Sequence, residues 1–324
     1  MSYAIIATHP GDSSVLVRQD RDTPVPAAGQ VLIRHAAIGV NFIDVYFRQG
    51  LYPWPVTENL ILGSEGAGVV EALGDGVTGF TLGQRVAYTL PNGSYATHRA
   101  VPAAHVVPLP DDIDDATAAA VMLKGLTAHY LLHHSYPVQK GDTVLFHAAA
   151  GGVGLIAGQW LAAKGVRAIG TAGGADKCAL ARANGFTDAI DYRSEDFVAR
   201  VRDITGGKGV QAVYDSVGTD TIMGSLDCLA QFGTLVSFGQ SSGAPDQLRV
   251  SHLARGSLRL TRPTLFHHSA NRAWLEQASA DLFAMIRSGA IKVKIGATWP
   301  LDQAAAAHDA LTGRYTTGCI VLTP

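Results

Sequence analysis

Thr143-Val144-Leu145-Phe146 runs into His147-Ala148-Ala149-Ala150-Gly151-Gly152-Val153-Gly154, and the reading of this junction decides the fold. Val144–Phe146 reads as a buried strand, Leu155–Lys164 as a helix and Val166–Gly170 as the next strand. A strand that turns through small residues into a helix can bring backbone N–H groups against a pyrophosphate. Gly151 lets the backbone approach the phosphates, and Gly154 lets the helix pack close to the sheet. Ala149 stands where the dinucleotide fingerprint has its first glycine, a small departure. Ala/Gly turns also serve plain helix–strand packing; the strand–turn–helix–strand context favours nucleotide binding over that reading.

The tip of the second strand narrows the nucleotide. A site for NAD places Asp or Glu about 20 residues beyond the glycines, on the ribose 2′-hydroxyl. Here the strand ends Ile169-Gly170-Thr171-Ala172-Gly173-Gly174 with no carboxylate at its tip. Asp176 falls in what reads as the first turn of the next helix, with Lys177 beside it. The missing acidic repeller and the cation in reach favour NADPH, against the plainer reading of Lys177 as an exposed helix lysine.

A chain of 324 residues is too long for one ordinary core, so two domains are expected. The 47% hydrophobic content is that of a globular enzyme, and 36 glycines imply many tight turns. No apolar run is long enough to span a bilayer, and Met1-Ser2-Tyr3-Ala4-Ile5-Ile6 lacks the basic-then-apolar layout of a signal peptide. A net charge of −2 gives no electrostatic footprint for nucleic acid. Cys178, Cys228 and Cys319 are odd in number and scattered, which reads as reduced thiols in a cytoplasmic protein.

Up to about residue 105, short apolar runs such as Val31-Leu32-Ile33 and Gly68-Val69-Val70 are punctuated by turn signals, including Pro91-Asn92-Gly93. That spacing predicts a small, mostly antiparallel β-domain. Asp111, Asp112, Asp114 and Asp115 then precede a helix over Ala116–Leu132, where carboxylates offset the dipole. After Pro137, strand and helix alternate through Leu258–Leu260, the pattern of a doubly wound parallel sheet. Past Pro263 the alternation stops, with a helix over Arg272–Ser288, a strand over Lys292–Gly296, a helix over Leu301–Leu311 and a strand over Cys319–Leu322.

Seven segments in this order carry a resemblance. They are Ala37-Ile38-Gly39-Val40-Asn41-Phe42-Ile43-Asp44, Gly50-Leu51-Tyr52-Pro53, Gly63-Ser64-Glu65-Gly66-Ala67-Gly68, Leu123-Lys124-Gly125-Leu126-Thr127, the Phe146–Gly154 junction, Val213-Tyr214-Asp215-Ser216-Val217-Gly218 and Val236-Ser237-Phe238-Gly239. Over essentially its whole length the chain resembles the zinc-independent, zeta-crystallin-like NADPH:quinone oxidoreductases of the medium-chain dehydrogenase/reductase superfamily.

The resemblance implies an α/β fold: a GroES-like β-domain over 1–125 with 266–324, and a Rossmann doubly wound parallel-sheet domain over 126–265. NADPH is then expected in the cleft between them, and a homodimer through the edge strand near Leu258–Leu260. By carry-over, Thr127, Gly151, Gly152 and Val153 hold phosphates, while Gly173, Lys177, Tyr192 and Arg314 surround the 2′-phosphate end. Ser216, Phe238, Gly239, Ser241 and Leu265 flank the ribose and nicotinamide. Ser216 and Phe238 fit independently, because each follows a predicted parallel strand and ligands bind at that edge. The resemblance places Asn41, Tyr46 and Tyr52 on the nicotinamide side as hydrogen-bond donors to the reacting acceptor, with Asn41 and Tyr46 also binding the cofactor; the plainer reading is that both tyrosines only pack and orient the cofactor.

Zinc-dependent relatives hold metal with Cys and His where this chain has Asn41 and Ser64, and amide and hydroxyl groups are poor substitutes for those ligands. The adjacent pairs His133-His134 and His267-His268 diverge on any regular element, and His147 reads as hydrogen-bonded scaffold. No metal is expected. Without a Lewis acid the acceptor must take hydride readily, as a quinone or conjugated enone does. An alkenal/enone reductase is the alternative enzyme; an RNA-binding or structural crystallin-like role is the alternative outside catalysis.

Overall fold

Glycine, proline and asparagine turns cut the first part of the chain into short strands. The computed structural model describes residues 2–324. They divide into two units: the chain up to Leu126 with Phe266–Arg287 and Val293–Pro324, and Thr127–Leu265 with Ser288–Lys292.

The first unit contains β1 (Ser2–Ala7), β2 (Leu16–Arg21), β3 (Gln30–Val40), α1 (Phe42–Arg48), β4 (Leu60–Ile61), β5 (Glu65–Leu73), β6 (Arg85–Thr89), β7 (His98–Pro102) and β8 (Val106–Pro108). Within it β2-β1-β4 form an antiparallel sheet. A long helix, α2 (Asp115–Tyr130), starts in the first unit and ends in the second. Asp114 caps it, its carboxylate accepting from Thr117 N at 2.7 Å and Thr117 Oγ1 at 2.8 Å, which is the capping role expected of the acidic cluster.

In the second unit, β9 (Thr143–Phe146), α3 (Gly152–Ala163), β10 (Arg167–Ala172), α4 (Ala175–Ala183), β11 (Asp188–Asp191), α5 (Phe197–Ile204), β12 (Val210–Asp215), α6 (Ile222–Cys228), β13 (Leu229–Ser237) and β14 (Arg259–Thr261) alternate. All six strands are parallel, in the order β11-β10-β9-β12-β13-β14. Counted from the first strand this is 3-2-1-4-5-6, the doubly wound dinucleotide-binding order. Val144, Leu145 and Phe146 are buried, as strands covered on both faces require. Leu145, Ile169, Ile190, Val213 and Leu235 pack with Ile222 and Leu226 of α6 into this unit's core.

After α7 (Leu265–Ser269) and α8 (Arg272–Arg287), β15 (Ile295–Pro300), α9 (Ala304–Thr312) and β16 (Cys319–Thr323) complete the first unit. Its larger sheet runs β15-β16-β3-β5-β6-β8, with β7 also on β3. Two details differ from the expectation. The strand expected over Lys292–Gly296 is shifted to Ile295–Pro300: pairing with β16 starts at Ile295–Cys319, while Lys292 N is claimed by the Gln159 side chain at 2.7 Å. The helix α1, seven residues inside the β-domain, is too short to show a helical period. All three cysteines are free and buried.

Candidate active site

The chain leaves β9 through a loop tied to both neighbouring strands: His147 N–H donates to Tyr214 O and Ala149 N–H to Thr171 O, each at 3.0 Å. The loop therefore sits at the reversal of strand order, where open α/β sheets bind ligands. The His147 side chain is buried scaffold. Its Nε2 lies 3.0 Å from Ser225 Oγ, whose own proton goes to Asp215 Oδ2 at 2.7 Å. Nε2 therefore carries the hydrogen, and Nδ1 accepts from the Thr171 hydroxyl at 2.8 Å. Burial holds His147 below the ordinary imidazole range, against the opposing charge of Asp215.

Beyond the loop, α3 opens with Gly151 at its N-cap, a residue with no side chain to cap the helix. The helix leaves the first-turn N–H groups of Gly152, Val153 and Gly154 without intrahelical partners, at the positive end of its dipole. A Cβ on Gly154 would lie 2.5 Å from Ala148 O, so only glycine lets the helix pack this close to the loop. At Gly151 a Cβ would meet only Ala148 O, at 3.2 Å, so the missing side chain leaves open a cradle of pyrophosphate character.

At the tip of β10, Gly173 and Gly174 lead into α4, with Asp176 and Lys177 in its first turn. Asp191, ending β11, accepts from Gly174 N at 2.8 Å and Arg193 N at 3.0 Å, strapping the two loops together. Those bonds hold its carboxyl below the usual range. A Cβ on Gly173 would lie 2.6 Å from the Tyr192 hydroxyl and 3.1 Å from Arg193 Nε. The structure brings Gly173 and Tyr192 together, and Arg193 joins them; the sequence signal for Arg193 was the basic residue directly after Tyr192.

Ser216, Phe238, Gly239 and Ser241 are brought together beyond the carboxyl ends of β12 and β13. Phe238 N donates to Asp215 O at 2.8 Å and Ser241 N to Ser216 O at 3.1 Å. Gly239 lies against Ser216, whose carbonyl oxygen would sit 2.7 Å from a Cβ there. Thr127 is buried in α2, and Leu265 is buried at the start of α7.

Asn41, Tyr46, Tyr52 and Arg314 belong to the first unit, the other candidates to the second. Asn41 caps α1 reciprocally with Asp44 and is buried. Its Nδ2 donates to Glu65 Oε1 at 2.8 Å, and that same oxygen accepts from Lys124 Nζ at 2.6 Å. Glu65 Oε2 takes Leu123 N at 2.6 Å. Burial is the largest influence on the Lys124 ammonium and would lower it, but the charge and hydrogen bond of Glu65, with Cys319 and Asp44 nearby, together outweigh it and hold the group above its ordinary value. Sequence reasoning missed this pair; its signal was a lysine inside the otherwise apolar Met122-Leu123-Lys124-Gly125-Leu126.

Ser64, at the second metal-ligand position, donates to Asp44 Oδ1 at 2.7 Å. Asp44 Oδ2 accepts from Tyr95 OH at 3.2 Å, and His308 Nε2 lies 2.9 Å from the same hydroxyl. Burial pushes the Asp44 carboxyl up to about 7. The side chains that stand where zinc enzymes carry Cys and His are thus committed to two buried carboxylates. Among the described residues no group of three His, Cys, Asp or Glu is arranged to hold a metal ion.

The Tyr46 and Tyr52 rings stand edge to face with centroids 5.5 Å apart, Tyr46 buried and Tyr52 half-exposed. The turn after α1 sets this pair, with Leu51 N and Tyr52 N both reaching Tyr46 O, at 2.9 and 3.3 Å. Arg314 is exposed in the turn after α9, at a left-handed φ of 60°. Among the described residues no helix is long and apolar enough to cross a membrane.

Residues 27–111 match the family described as alcohol dehydrogenase GroES-like domain, and residues 152–280 match zinc-binding dehydrogenase. A quinone oxidoreductase of Pseudomonas aeruginosa is 48% identical over 316 residues, 97% of each chain. A Burkholderia 2-haloacrylate reductase is 44% identical over 331 residues, covering 100% of this chain and 99% of the relative. The crystal structure of Escherichia coli quinone oxidoreductase complexed with NADPH superposes with a TM-score of 0.97 at 44% identity, covering 99% of this chain and all of that one.

Proposed function

The chain belongs to the zinc-independent quinone oxidoreductases of the medium-chain dehydrogenase/reductase superfamily, and from that premise we propose that it reduces small quinones with NADPH at a metal-free site. The observation that carries the reading is the β9–α3 loop. Its glycines and uncapped first-turn N–H groups suit a pyrophosphate, and the relative from Escherichia coli was solved with NADPH.

NADPH, when bound, supplies the hydride. The chain's own residues bind and orient. Gly151, Gly152 and Val153, with Thr127, hold the phosphates; Gly173, Lys177, Tyr192 and Arg314 take the 2′-phosphate end. Ser216, Phe238, Gly239, Ser241 and Leu265 flank the nicotinamide ribose and ring. Residues 126–265 thus act as the NADPH-binding domain, and 1–125 with 266–324 as the catalytic one. Tyr46 and Tyr52 offer an aromatic wall for a flat acceptor, and their hydroxyls donate toward the charge that hydride transfer delivers.

Asn41 serves both the cofactor and the acceptor. One of its two side-chain N–H donors is held by Glu65, which leaves the second N–H for them. Asp44 and Glu65 already claim the Ser64 hydroxyl and the Asn41 amide, which supports chemistry on an acceptor that needs no Lewis acid.

A second reading, reduction of a carbon–carbon double bond conjugated to an electron-withdrawing group, is favoured by the 44% identity to a 2-haloacrylate reductase. We further propose a cytoplasmic homodimer joined through β14. That strand is the edge of the parallel sheet, and Leu260 on it and Phe232 and Val250 near it are exposed. The test is NADPH turnover over a matched panel of quinones, conjugated enones and 2-haloacrylates. Higher kcat/KM on quinones supports the first reading, and turnover confined to the double-bond substrates replaces it with the second.

A further inference from the structure

We propose that Arg193 is a specificity-determining residue, a guanidinium that recognises the 2′-phosphate and so sets the preference for NADPH over NADH. The inference rests on the NADPH reading above and names a residue that reading does not use. Its first support is position. Arg193 folds back over the glycine turn at the tip of β10, with Nε 3.1 Å from where a Gly173 Cβ would stand. One guanidinium nitrogen lies 3.8 Å from the corresponding point on Gly174. In a doubly wound sheet this tip is where the adenosine ribose is read.

The second support is that no hydrogen bond or ion pair holds the guanidinium, although its charge lies near enough to Asp191 to help hold that carboxyl down. Neighbouring arginines are spent on carboxylates, Arg200 on Glu195 at 2.8 Å and Arg167 on Asp188 at 3.0 Å. Among the described residues the Arg193 guanidinium makes no ion pair and no hydrogen bond; only its backbone N–H is engaged, by Asp191.

The third support is the Asp191 strap, which fixes where the arginine starts. One carboxylate oxygen holds both Gly174 N and Arg193 N, so the turn and the base of the arginine keep one spacing. Two backbone donors on that oxygen also reduce its repulsion of an incoming anion. A planar guanidinium offers paired N–H donors that match a phosphate, while Lys177 in the first turn of α4 adds a point charge. Any side chain at Gly173 would collide with the Tyr192 hydroxyl and crowd Arg193, so the glycine keeps this corner open.

The test is calorimetric binding of 2′-AMP and 5′-AMP, with NADPH and NADH alongside, to the wild-type protein, Arg193→Gln and Arg193→Lys. The wild type should bind 2′-AMP more tightly than 5′-AMP. Arg193→Gln should weaken 2′-AMP and NADPH about 10- to 100-fold, the range of a charge-assisted pair, and leave 5′-AMP and NADH unchanged. Arg193→Lys should recover part of the loss, and the salt dependence of 2′-AMP binding should flatten in Arg193→Gln. If the wild type discriminates and Arg193→Gln discriminates equally, the role of Arg193 is overturned and the NADPH reading stands. If the wild type itself shows no preference for the 2′-phosphate, both fall.

Discussion

Asn41 Nδ2 and Glu65 Oε1 lie 2.8 Å apart, and the hydrogen bond between them ties the N-cap of α1 to the first residue of β5. The same carboxylate carries Lys124, so an amide, a carboxylate and an ammonium form one buried group that includes Asn41, the residue standing where zinc-dependent relatives carry a metal ligand. The ammonium is part of the fold, and its charge is fixed by covalent attachment to α2.

Removing that ammonium should be costly. Lys124→Met leaves the buried Glu65 side chain without its counter-ion, a loss of about 3–5 kcal/mol of stability. Glu65→Gln combined with Lys124→Met should recover part of it, because no uncompensated charge remains. Urea unfolding of the two singles and the double checks this; additive losses would contradict the coupling.

The buried titrating groups give stability a defined pH dependence. Asp44 is raised from 3.8 to about 7, so the folded chain binds its proton more tightly than the unfolded chain does. Its contribution is complete below pH 3.8 and is lost as pH rises to about 7. His35 and His308 work in the opposite direction, held down at about 4 and about 3 by burial, so their contribution is lost as pH falls below 6.5. Melting temperatures of Asp44→Asn relative to the wild type should therefore rise steadily between pH 4 and pH 7. A difference independent of pH would show that Asp44 does not titrate there.

Gly154→Ala should damage cofactor binding and stability together. The new methyl would stand 2.5 Å from Ala148 O, a backbone atom that cannot swing away, and overpacking of this kind costs about 1–3 kcal/mol. Displacement of the loop should weaken NADPH binding by about tenfold or more, the effect of a mis-set anion site worth about 1.4 kcal/mol. Fluorescence titration with NADPH and thermal melting read the two effects, and an unchanged Kd would remove the loop from the site.

The two tyrosines should divide by ring and hydroxyl. Quinones take hydride with little help from an acid, so Tyr46→Phe and Tyr52→Phe should keep kcat within about tenfold, below the 10²–10⁴ of a true general acid. Tyr52→Ala removes the ring that meets Tyr46 edge to face and should raise KM for the quinone. Loss of kcat by more than about 100-fold in either Phe variant would make that tyrosine a proton donor.

What was legible in the sequence followed local rules. Strand–glycine–helix at Thr143–Gly154, and the later alternation of elements, depend on neighbours a few residues apart, and the parallel sheet followed from them. The structure also brings Tyr46 together with Tyr52, and Gly173 with Tyr192, residues that the resemblance singled out for the site. The Asn41–Glu65–Lys124 group was not legible, because its members are 24 and 59 residues apart and a buried lysine has no periodic signature. Arg193 was passed over for a related reason: the basic residue after Tyr192 was visible, but the return of its guanidinium over Gly173 and Gly174 is a contact between two loops that no local pattern records. Helix α1, too short for a period, escaped even though it carries Tyr46 and Asp44.

The most direct measurement is NADPH oxidation with a small quinone by protein stripped with a chelator and shown by elemental analysis to hold no transition metal. The result expected is quinone-dependent turnover unchanged by stripping and not raised by added zinc. Turnover that vanishes on stripping and returns with stoichiometric zinc would contradict the assignment of Asn41 and Ser64 to a buried carboxylate network in place of a metal site.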